Sequence, residues 1–169
     1  VIFGIVYGIS GFGLGENLNI NPKEASQFIN KYYELYPGVK NYMDNIIKEA
    51  YDTGCVRTLF NRKRTIEELN NRNYMIRSSG ERIALNTPIQ GTSADIIKKA
   101  MVLVFHEFKR QNIKSKIVLQ IHDELIIDTL ASEEEKVTKI VMEVMENVMK
   151  LSVPLKVGIA KGKDLYEAK

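Results

Sequence analysis

The stretch that decides the fold reads Ile117-Val118-Leu119-Gln120-Ile121-His122-Asp123-Glu124-Leu125-Ile126-Ile127. Its two apolar runs, residues 117–119 and 125–127, are too short for helices and rich in β-branched side chains, so they predict two buried strands. The polar cluster between them falls at the bend of a hairpin, which would place Asp123 and Glu124 at the exposed end of a rigid sheet. Carboxylates on such a support suit a hard divalent cation such as Mg²⁺.

The two neighbouring acids are not equivalent as metal ligands. Adjacent residues on a strand point to opposite faces, so they share one ion only if the chain bends between them. We therefore predict Asp123 as the ligand and Glu124 as a neighbour that shapes the site. A metal pair needs several carboxylates, and Asp95, near a predicted helix start, or Asp128, at a predicted strand end, are the other candidates. An ordinary polar turn remains the alternative.

Other classes of site are excluded by residue type. No serine sits on a strand-to-helix elbow, so a hydrolase triad is not predicted. His106 and His122 are the only histidines and lie on different predicted elements, and Cys55 is the only cysteine, which argues against zinc and against an internal disulfide. No apolar run reaches the length of a membrane span and no signal peptide is recognised. The single cysteine fits a reducing, cytoplasmic setting.

Basic residues are concentrated in one part of the chain. The whole sequence of 169 residues carries a net charge of +3, with 44% apolar and 27% charged residues, which is ordinary for a globular protein. Residues 56–82 alone hold seven basic side chains and three acidic ones. The basic side chains are Arg57, Arg62, Lys63, Arg64, Arg72, Arg77 and Arg82. This arginine-rich stretch suits phosphate contacts, with a solvated loop as the alternative.

Helix and strand signals alternate along the chain. Helices are predicted over residues 1–7, from Asn21-Pro22 to Tyr36, over 39–52, over 82–86, from Thr87 to Arg110, and from a Ser132 capping box to Lys150. Two short strands are predicted within 55–66 and a last strand over 154–159. The glycines of 8–15 should end the first helix, and residues 67–80 should form a loop. The inward faces of two helices are predicted to hold Tyr42, Met43, Ile46, Ile47 and Ala50, and Ala94, Ile97, Met101, Val104, Phe105 and Phe108.

These elements predict an α+β fold, a small antiparallel sheet with helices packed on one side. Val1 is not a methionine and opens directly into an apolar stretch with no N-cap residue, so the chain is expected to be a piece of a longer one.

Three sequence blocks, taken in order, carry a resemblance to a known family. They are Phe3-Gly4-Ile5-Val6-Tyr7-Gly8-Ile9-Ser10 with Phe12-Gly13-Leu14; Glu81-Arg82 with Asn86 and Pro88-Ile89-Gln90-Gly91-Thr92-Ser93-Ala94-Asp95-Ile96-Ile97-Lys98; and Gln120-Ile121-His122-Asp123-Glu124. The chain resembles the C-terminal part of family A DNA polymerases, the bacterial DNA polymerase I type. Order and spacing agree over essentially all of the chain.

The resemblance implies a partial right-hand polymerase fold. Residues 1–52 would belong to the helical fingers and residues 53–169 to the palm, with its small antiparallel sheet. The first polymerase motif, the thumb and any exonuclease domain would be absent, as would the lysine and arginine that hold the incoming triphosphate. Leu165 stands where the family usually has tryptophan, and Gly158 where an acidic residue is common.

The resemblance also implies catalytic and nucleotide-binding roles. Asp123 would be one of two metal-binding catalytic aspartates, Glu124 the neighbouring acid, and His122 a contact to the primer end. Phe3 and Tyr7 would line the nucleotide pocket, near the sugar and the templating base respectively. Core packing of these two rings, which lie four residues apart on a predicted helix, is the alternative.

Three further residues would contact DNA. Arg82, Asn86 and Gln90 would check the newest base pair from the minor groove, whose acceptors occupy similar places in all Watson–Crick pairs. Alternatively, Gln90 only completes a capping box with Thr87, and Arg82 only pairs with a nearby carboxylate.

The expected activity of the parent protein is DNA-directed DNA synthesis in replication or repair. Two Mg²⁺ ions would assist addition of dNTPs to a primer on a template, in a monomeric, cytoplasmic and nucleoid-associated enzyme. The 169 residues alone are expected to be inactive because half of the metal site is missing. A non-catalytic DNA-binding module, a two-metal nuclease and a polymerase relative without activity are the alternatives.

Overall fold

The computed structural model describes residues 2–168, and the chain divides into two compact units, Val1–Thr92 and Ser93–Lys169. The division falls inside one long helix, so it is a division by packing and not by secondary structure. The predicted boundary between fingers and palm at residue 52 stays a prediction.

The described part of the first unit contains four α-helices, a hairpin, a short 3-10 helix and the first half of the long helix. In chain order these are α1 (Ile2–Val6), α2 (Gly11–Leu18), α3 (Pro22–Leu35), α4 (Pro37–Thr53), β1 (Cys55–Arg57), β2 (Lys63–Thr65), a 3-10 helix (Glu67–Asn70) and α5 (Tyr74–Arg110). Its core gathers side chains from α4, β1, the 3-10 segment and α5. The buried members are Met43, Ile46, Ala50, Val56, Ile66, Leu69, Ala84 and Leu85. Tyr42, predicted to face inward, is 48% exposed, because the buried stripe of α4 runs along the face of Met43 and Ile46.

The start of α3 and the end of α4 follow the predicted capping signals. The Oδ1 atom of Asn21 accepts a hydrogen bond from the Lys23 N–H at 2.9 Å, and Pro22 opens the helix. Gly54 closes α4 in the left-handed conformation, with φ 67°, and its N–H donates to the Ala50 carbonyl. Side chains other than glycine rarely adopt this conformation, which is why the helix ends there.

Gly8 follows the end of α1 with φ 77°, as predicted, but glycines 11, 13 and 15 lie within a further helix, α2, that the sequence did not predict. Ser10 caps α2 by accepting a hydrogen bond from the Gly13 N–H at 3.1 Å. The glycines serve helix packing: a Cβ on Gly11 would overlap the Ser26 hydroxyl of α3, and one on Gly15 would stand 2.9 Å from the Ile20 carbonyl oxygen. Their small size lets α2 lie directly against α3.

The predictions of a loop over 67–80, a short helix over 82–86 and a new helix capped by Thr87 were also wrong. α5 is continuous from Tyr74 to Arg110 and contains Pro88. The Thr87 hydroxyl does not cap a helix but donates to the Ile83 carbonyl oxygen at 2.6 Å. Asp95 therefore lies far inside a helix, and not near a helix start as predicted.

The second unit packs a hairpin and a helix against the second half of α5. Its elements are β3 (Lys116–Ile121), β4 (Glu124–Asp128), a 3-10 helix (Ala131–Glu133) and α6 (Glu134–Glu146). Its buried core comprises Val104, Phe108, Val137, Ile140 and Val141. Phe105, predicted to face inward, is 48% exposed because its neighbours Val104 and Phe108 occupy the core face.

The α+β class is confirmed, but the strands form two separate antiparallel hairpins and not one sheet. The prediction of a buried strand was wrong for β3, where Val118 is 56% exposed and Leu119 46%, whereas Leu125, Ile126 and Ile127 of β4 are half-buried. Only Ile117 and Ile127 of these strands pack against the core of the second unit. An irregularity in register between Ile117 and Leu119 disturbs the alternation of inward and outward side chains there.

Two predictions near the C-terminus were wrong. Ser132 does not cap α6, because the residue before the helix is Glu133, whose carboxylate accepts hydrogen bonds from Lys114 and Ser115 instead. No strand forms over residues 154–159 in the described structure. The Val157 N–H donates instead to the Glu146 side chain, at 3.2 Å. No helix within residues 2–168 is both long enough and apolar enough to cross a membrane.

Candidate functional site

A cleft of about 360 Å³ opens in the first unit beside the end of α1. Gly8 and Ile9 line it on one side, α3 contributes Asn30, and α5 contributes Glu81 and Arg82. The cleft therefore lies between the segment after α1 and the part of α5 that contains Arg82, for which the sequence predicts a DNA contact.

Tyr7 directly precedes Gly8 and Ile9, which line this cleft. Its N–H donates to the Phe3 carbonyl oxygen at 3.0 Å, and Gly8 then turns the chain with φ 77°. A Cβ on Gly8 would lie 3.6 Å from the Cγ atom of Arg82 and 3.1 Å from the Cδ1 atom of Leu85. The structure thus brings the Arg82 side chain next to the residue that follows Tyr7.

Phe3 and Tyr7 differ in exposure. Phe3 is 80% exposed, which excludes the alternative of core packing within this chain for that ring. Tyr7 is half-buried. Each ring therefore leaves apolar surface that a planar ligand could contact.

Arg82, Asn86 and Gln90 recur every fourth residue along α5. This spacing puts them on one side of the helix. Arg82 and Gln90 are exposed, whereas Asn86 is half-buried. The Oδ1 atom of Asn86 is buried and has no hydrogen-bond partner within residues 2–168, which is costly for a polar atom unless a ligand fills the need.

Glu81, next to Arg82, is held by a second helix. The Tyr51 hydroxyl of α4 donates to its Oε1 atom at 2.8 Å. This hydrogen bond raises the pKa of Tyr51 above its usual value, because it stabilises the neutral phenol. The contact ties α4 to α5 beside the cleft.

Several arginines of the basic stretch 56–82 have partners inside the unit. Arg57 donates to Asn61 in the turn between β1 and β2, and Arg77 donates to the Asn71 and Arg72 carbonyl oxygens. Arg62 and Arg64 donate to α5. These contacts use only part of the donors of each guanidinium, so phosphate contacts by this stretch stay a prediction.

In the second unit the predicted hairpin bend is a two-residue turn, His122-Asp123, between Ile121 and Glu124, which pair in register. His122 has φ 50°, and positive φ at the first turn residue is what a tight hairpin of this kind requires. The Gln120 side chain donates to the His122 carbonyl oxygen at 2.6 Å and braces the turn.

The chain bends at this turn, and Asp123 and Glu124 could share one ion only if the chain bends between them. Asp123 lies within the turn and Glu124 is the first residue of β4, and both are exposed. Asp128 ends β4, at the predicted strand end, and is exposed. Their carboxylates have the right chemistry for a hard cation, but the described residues contain no group of three or more His, Cys, Asp or Glu that could hold a metal ion.

The base of the same hairpin is fastened by one carboxylate. Glu133 accepts hydrogen bonds from the Lys114 and Ser115 N–H groups and from the Ser115 hydroxyl, and that hydroxyl accepts one from the Leu130 N–H at 3.1 Å. The bond from the Ser115 hydroxyl is the largest cause of a lowered pKa for Glu133. The residues before β3 and after β4 are thereby joined.

Sequence reasoning missed the bracing role of Gln120 and the fastening role of Glu133. Gln120 belongs to the quoted polar cluster, so its position was visible but its partner was not. Glu133 follows Ser132, where the sequence predicts a capping box, and no local pattern indicates that its partners are Lys114 and Ser115.

The comparisons with known proteins agree with the motif blocks. The family model for DNA polymerase family A matches residues 1–167. Over all 169 residues the chain is 52% identical to DNA polymerase I of Caldicellulosiruptor bescii and 52% identical to that of Bacillus subtilis. It covers 20% and 19% of those proteins, so it spans about a fifth of the length of these curated relatives.

One solved structure has nearly the same fold as this chain. It is the POL domain of Pol1 from M. smegmatis in complex with DNA primer-template and dNTP. The TM-score is 0.95 at 36% identity, over 99% of this chain and 30% of that one. The chain belongs to DNA polymerase family A, which confirms the resemblance.

Proposed function

We propose that the complete protein is a DNA-directed DNA polymerase and that this chain supplies part of its fingers and palm. The observation that carries the proposal is the fold shared with a polymerase domain described with primer-template DNA and dNTP, over 99% of this chain. The proposed substrates are dNTPs and a primed template, in replication or repair. Because the template is chromosomal DNA, we place the enzyme in the cytoplasm with the nucleoid, acting as a monomer.

Metal dependence is a property of the family, and we propose Mg²⁺ as the ion and two as the number. Asp123 would hold metal, with Glu124 beside it, because carboxylate oxygens are the ligands that this hard cation prefers. Bound there, the ions would stabilise the attacking and leaving oxygens of phosphoryl transfer. Since residues 2–168 contain no group of three such side chains, the remaining ligands would come from parts of the relatives that this chain does not span.

The other residues would bind and orient the substrates. Phe3 and Tyr7 would contact the incoming nucleotide, and the exposed ring of Phe3 supports that role. Arg82, Asn86 and Gln90 would contact the minor groove at the newest base pair. Two observations support this role: the three residues share one helix face, and the buried Oδ1 atom of Asn86 has no hydrogen-bond partner within residues 2–168. Alignment of the reacting groups by such contacts is a major source of rate in phosphoryl transfer.

His122 would contact the primer end beside Asp123. Its left-handed backbone is fixed by the tight turn and by the Gln120 hydrogen bond, so its side chain has a rigid support. A rigid support is what a terminal contact needs, because small misplacements of reacting groups reduce rates strongly.

Exchange of Asp123 tests the catalytic role. In the complete protein, Asp123→Ala should lower nucleotide addition by about a hundredfold or more, the size of effect seen when one preorganised catalytic group is lost. Duplex affinity should be unchanged or tighter, because a negative charge is removed. Asp52→Ala, at an exposed position of α4 to which no metal role is assigned, is the matched control and should retain activity. Full synthesis by Asp123→Ala would contradict the proposal.

A non-catalytic DNA-binding module is the second candidate for this chain by itself. The specific observation that favours it is the absence of a three-ligand metal group within residues 2–168. Binding would then use the face of Arg82, Asn86 and Gln90 with the basic stretch 56–82. Salt-dependent duplex binding without nucleotide addition by the chain alone would support it.

A further inference from the structure

The β1–β2 hairpin lies against α5 at the one proline inside that helix. Pro88 has no N–H to donate to the carbonyl one turn back, and its ring clashes with that carbonyl, so a helix bends at such a residue. A bent helix needs contacts that fix the size and direction of the bend. The first unit supplies them from residues 58–64 of the hairpin.

Two threonine hydroxyls flank the proline and connect helix to hairpin. Thr92 donates to the Pro88 carbonyl oxygen and accepts the Leu59 N–H at 3.0 Å. Thr87 donates to the Ile83 carbonyl oxygen at 2.6 Å and accepts from Arg64 at 3.3 Å.

Both threonines are buried, at 5% and 7% exposure for Thr87 and Thr92. Each hydroxyl therefore uses its donor on the helix and an acceptor lone pair on the hairpin. A Ser or Thr hydroxyl that bonds back to a carbonyl four residues earlier also favours a bend.

The hairpin also touches the helix backbone directly. Arg62 donates from Nη2 to the Gly91 carbonyl oxygen at 3.1 Å. A Cβ on Gly91 would stand 2.6 Å from the Cγ2 atom of Thr58, closer than real Cβ atoms approach. Gly91 thus permits a contact that no other residue would.

Two of the contact residues lie across the helix from Gln90. Residues two apart on an α-helix point about 200° apart, so Thr92 and Pro88 lie nearly opposite Gln90. Arg82 and Asn86 precede the proline and Gln90 follows it. A bend at Pro88, which the proline favours, would therefore set the direction of Gln90 relative to the other two.

We propose that Thr92, with Thr87 and Gly91, forms a positioning device that fixes this bend and so aims Gln90 at the newest base pair. The inference rests on the proposed minor-groove role of Arg82, Asn86 and Gln90. Thr92 touches no substrate in this account; it acts through Gln90, and its effect is on discrimination between matched and mismatched primer ends.

The test uses the complete polymerase with three variants. Thr92→Val removes both hydrogen bonds at nearly constant volume, Thr92→Ser keeps the hydroxyl, and Thr65→Val makes the same exchange at an exposed position of β2. The measured quantity is kcat/KM for extending a matched primer end divided by that for a mismatched one. Thr92→Val should lower this ratio about tenfold, the effect of losing one to two net hydrogen bonds. Thr92→Ser and Thr65→Val should leave it unchanged.

A double variant separates positioning from stability. If Thr92 acts through Gln90, adding Thr92→Val to Gln90→Ala should lower the ratio no further than Gln90→Ala alone. A merely structural role would instead reduce extension of both primer ends equally and would lower the thermal midpoint. An unchanged ratio in Thr92→Val, or an equal loss on both primers, overturns the inference.

Two further outcomes are distinguishable. If Gln90→Ala itself leaves the ratio unchanged while the wild type discriminates, the proposed minor-groove role fails, and the inference fails with it. If Thr92→Val does not fold, Arg64→Met, a change at an exposed side chain that donates to Thr87, takes its place. It should lower the ratio in the same direction by a smaller factor, and an unchanged ratio there overturns the inference.

Discussion

The exposed position of Asp123 depends on two neighbouring residues, Gln120 and His122. His122 takes the left-handed conformation, with φ 50°, and Gln120 braces its carbonyl group. Such a conformation is uncommon for a residue other than glycine and persists only when its surroundings hold it. Here the paired strands and the Gln120 side chain supply that support, so the turn is a rigid one.

Glu133 makes the stability of the hairpin base depend on pH. Its pKa is lowered below the ordinary 4.5 because its carboxylate accepts hydrogen bonds from Ser115 and Lys114. A lowered folded pKa stabilises the fold above the ordinary value, and this contribution is lost as pH falls through the folded pKa. Glu133→Gln should therefore lower the unfolding midpoint of the chain at neutral pH, with the difference from wild type shrinking below pH 4.5.

The comparison of urea midpoints at several pH values checks this, with Glu49→Gln, at an exposed position inside α4, as the control that should show no such difference. Glu107 also has a lowered pKa, to about 2, through its hydrogen bonds to Arg110 and Gln111. Glu107 is present in both wild type and variant, so its effect on the urea midpoint cancels when the two proteins are compared. A gap between wild type and Glu133→Gln that stays constant from neutral to acid pH would contradict the assignment.

At the scale of elements, glycine decides how closely α2 approaches α3. A Cβ on Gly11 would overlap the Ser26 hydroxyl and lie 3.2 Å from the Pro22 carbonyl oxygen. Gly11→Ala should therefore destabilise the first unit by about 1–3 kcal/mol, the usual cost of overpacking. Adding Ser26→Ala should recover part of the loss, because the hydroxyl is the closest atom.

Gly38→Ala is the matched control on α4. Nothing lies within 4 Å of a Cβ placed there, and alanine is the better helix former, so stability should rise by about 0.5–1 kcal/mol. Thermal unfolding of the single and double variants measures both changes. Equal effects of the two glycine exchanges would show that α2 does not rely on close contact with α3.

α5 shows why element boundaries were harder to predict than element types. Thr87 followed by Pro88 carries the sequence signal of a helix start, since proline favours the first turn. Within the fold, hydrogen bonds from Leu59, Arg62 and Arg64 hold the helix through the proline. Those partners lie 23 to 33 residues away, so no local pattern could reveal them.

At the scale of the whole molecule, the chain spans about a fifth of its curated relatives. The 169 residues alone should add no nucleotide to a primed template, because the described residues provide no three-ligand metal group. They should bind duplex DNA with an affinity that falls as salt rises, through arginines of residues 56–82. A primer-extension assay and salt-dependent binding curves measure these outcomes, with the complete protein as the positive control. Primer extension by the chain alone would contradict this prediction.

The sequence by itself determined the α+β class, the family, the caps at Asn21 and Gly54 and the hairpin around His122-Asp123. Each of these depends on residue types close together in the chain, or on motif blocks in a fixed order. Only the tertiary structure decided that α2 is a helix, that α5 passes through Pro88 and that Glu133 fastens a hairpin. These features depend on contacts between residues distant in sequence, where packing and hydrogen bonding outweigh local preference.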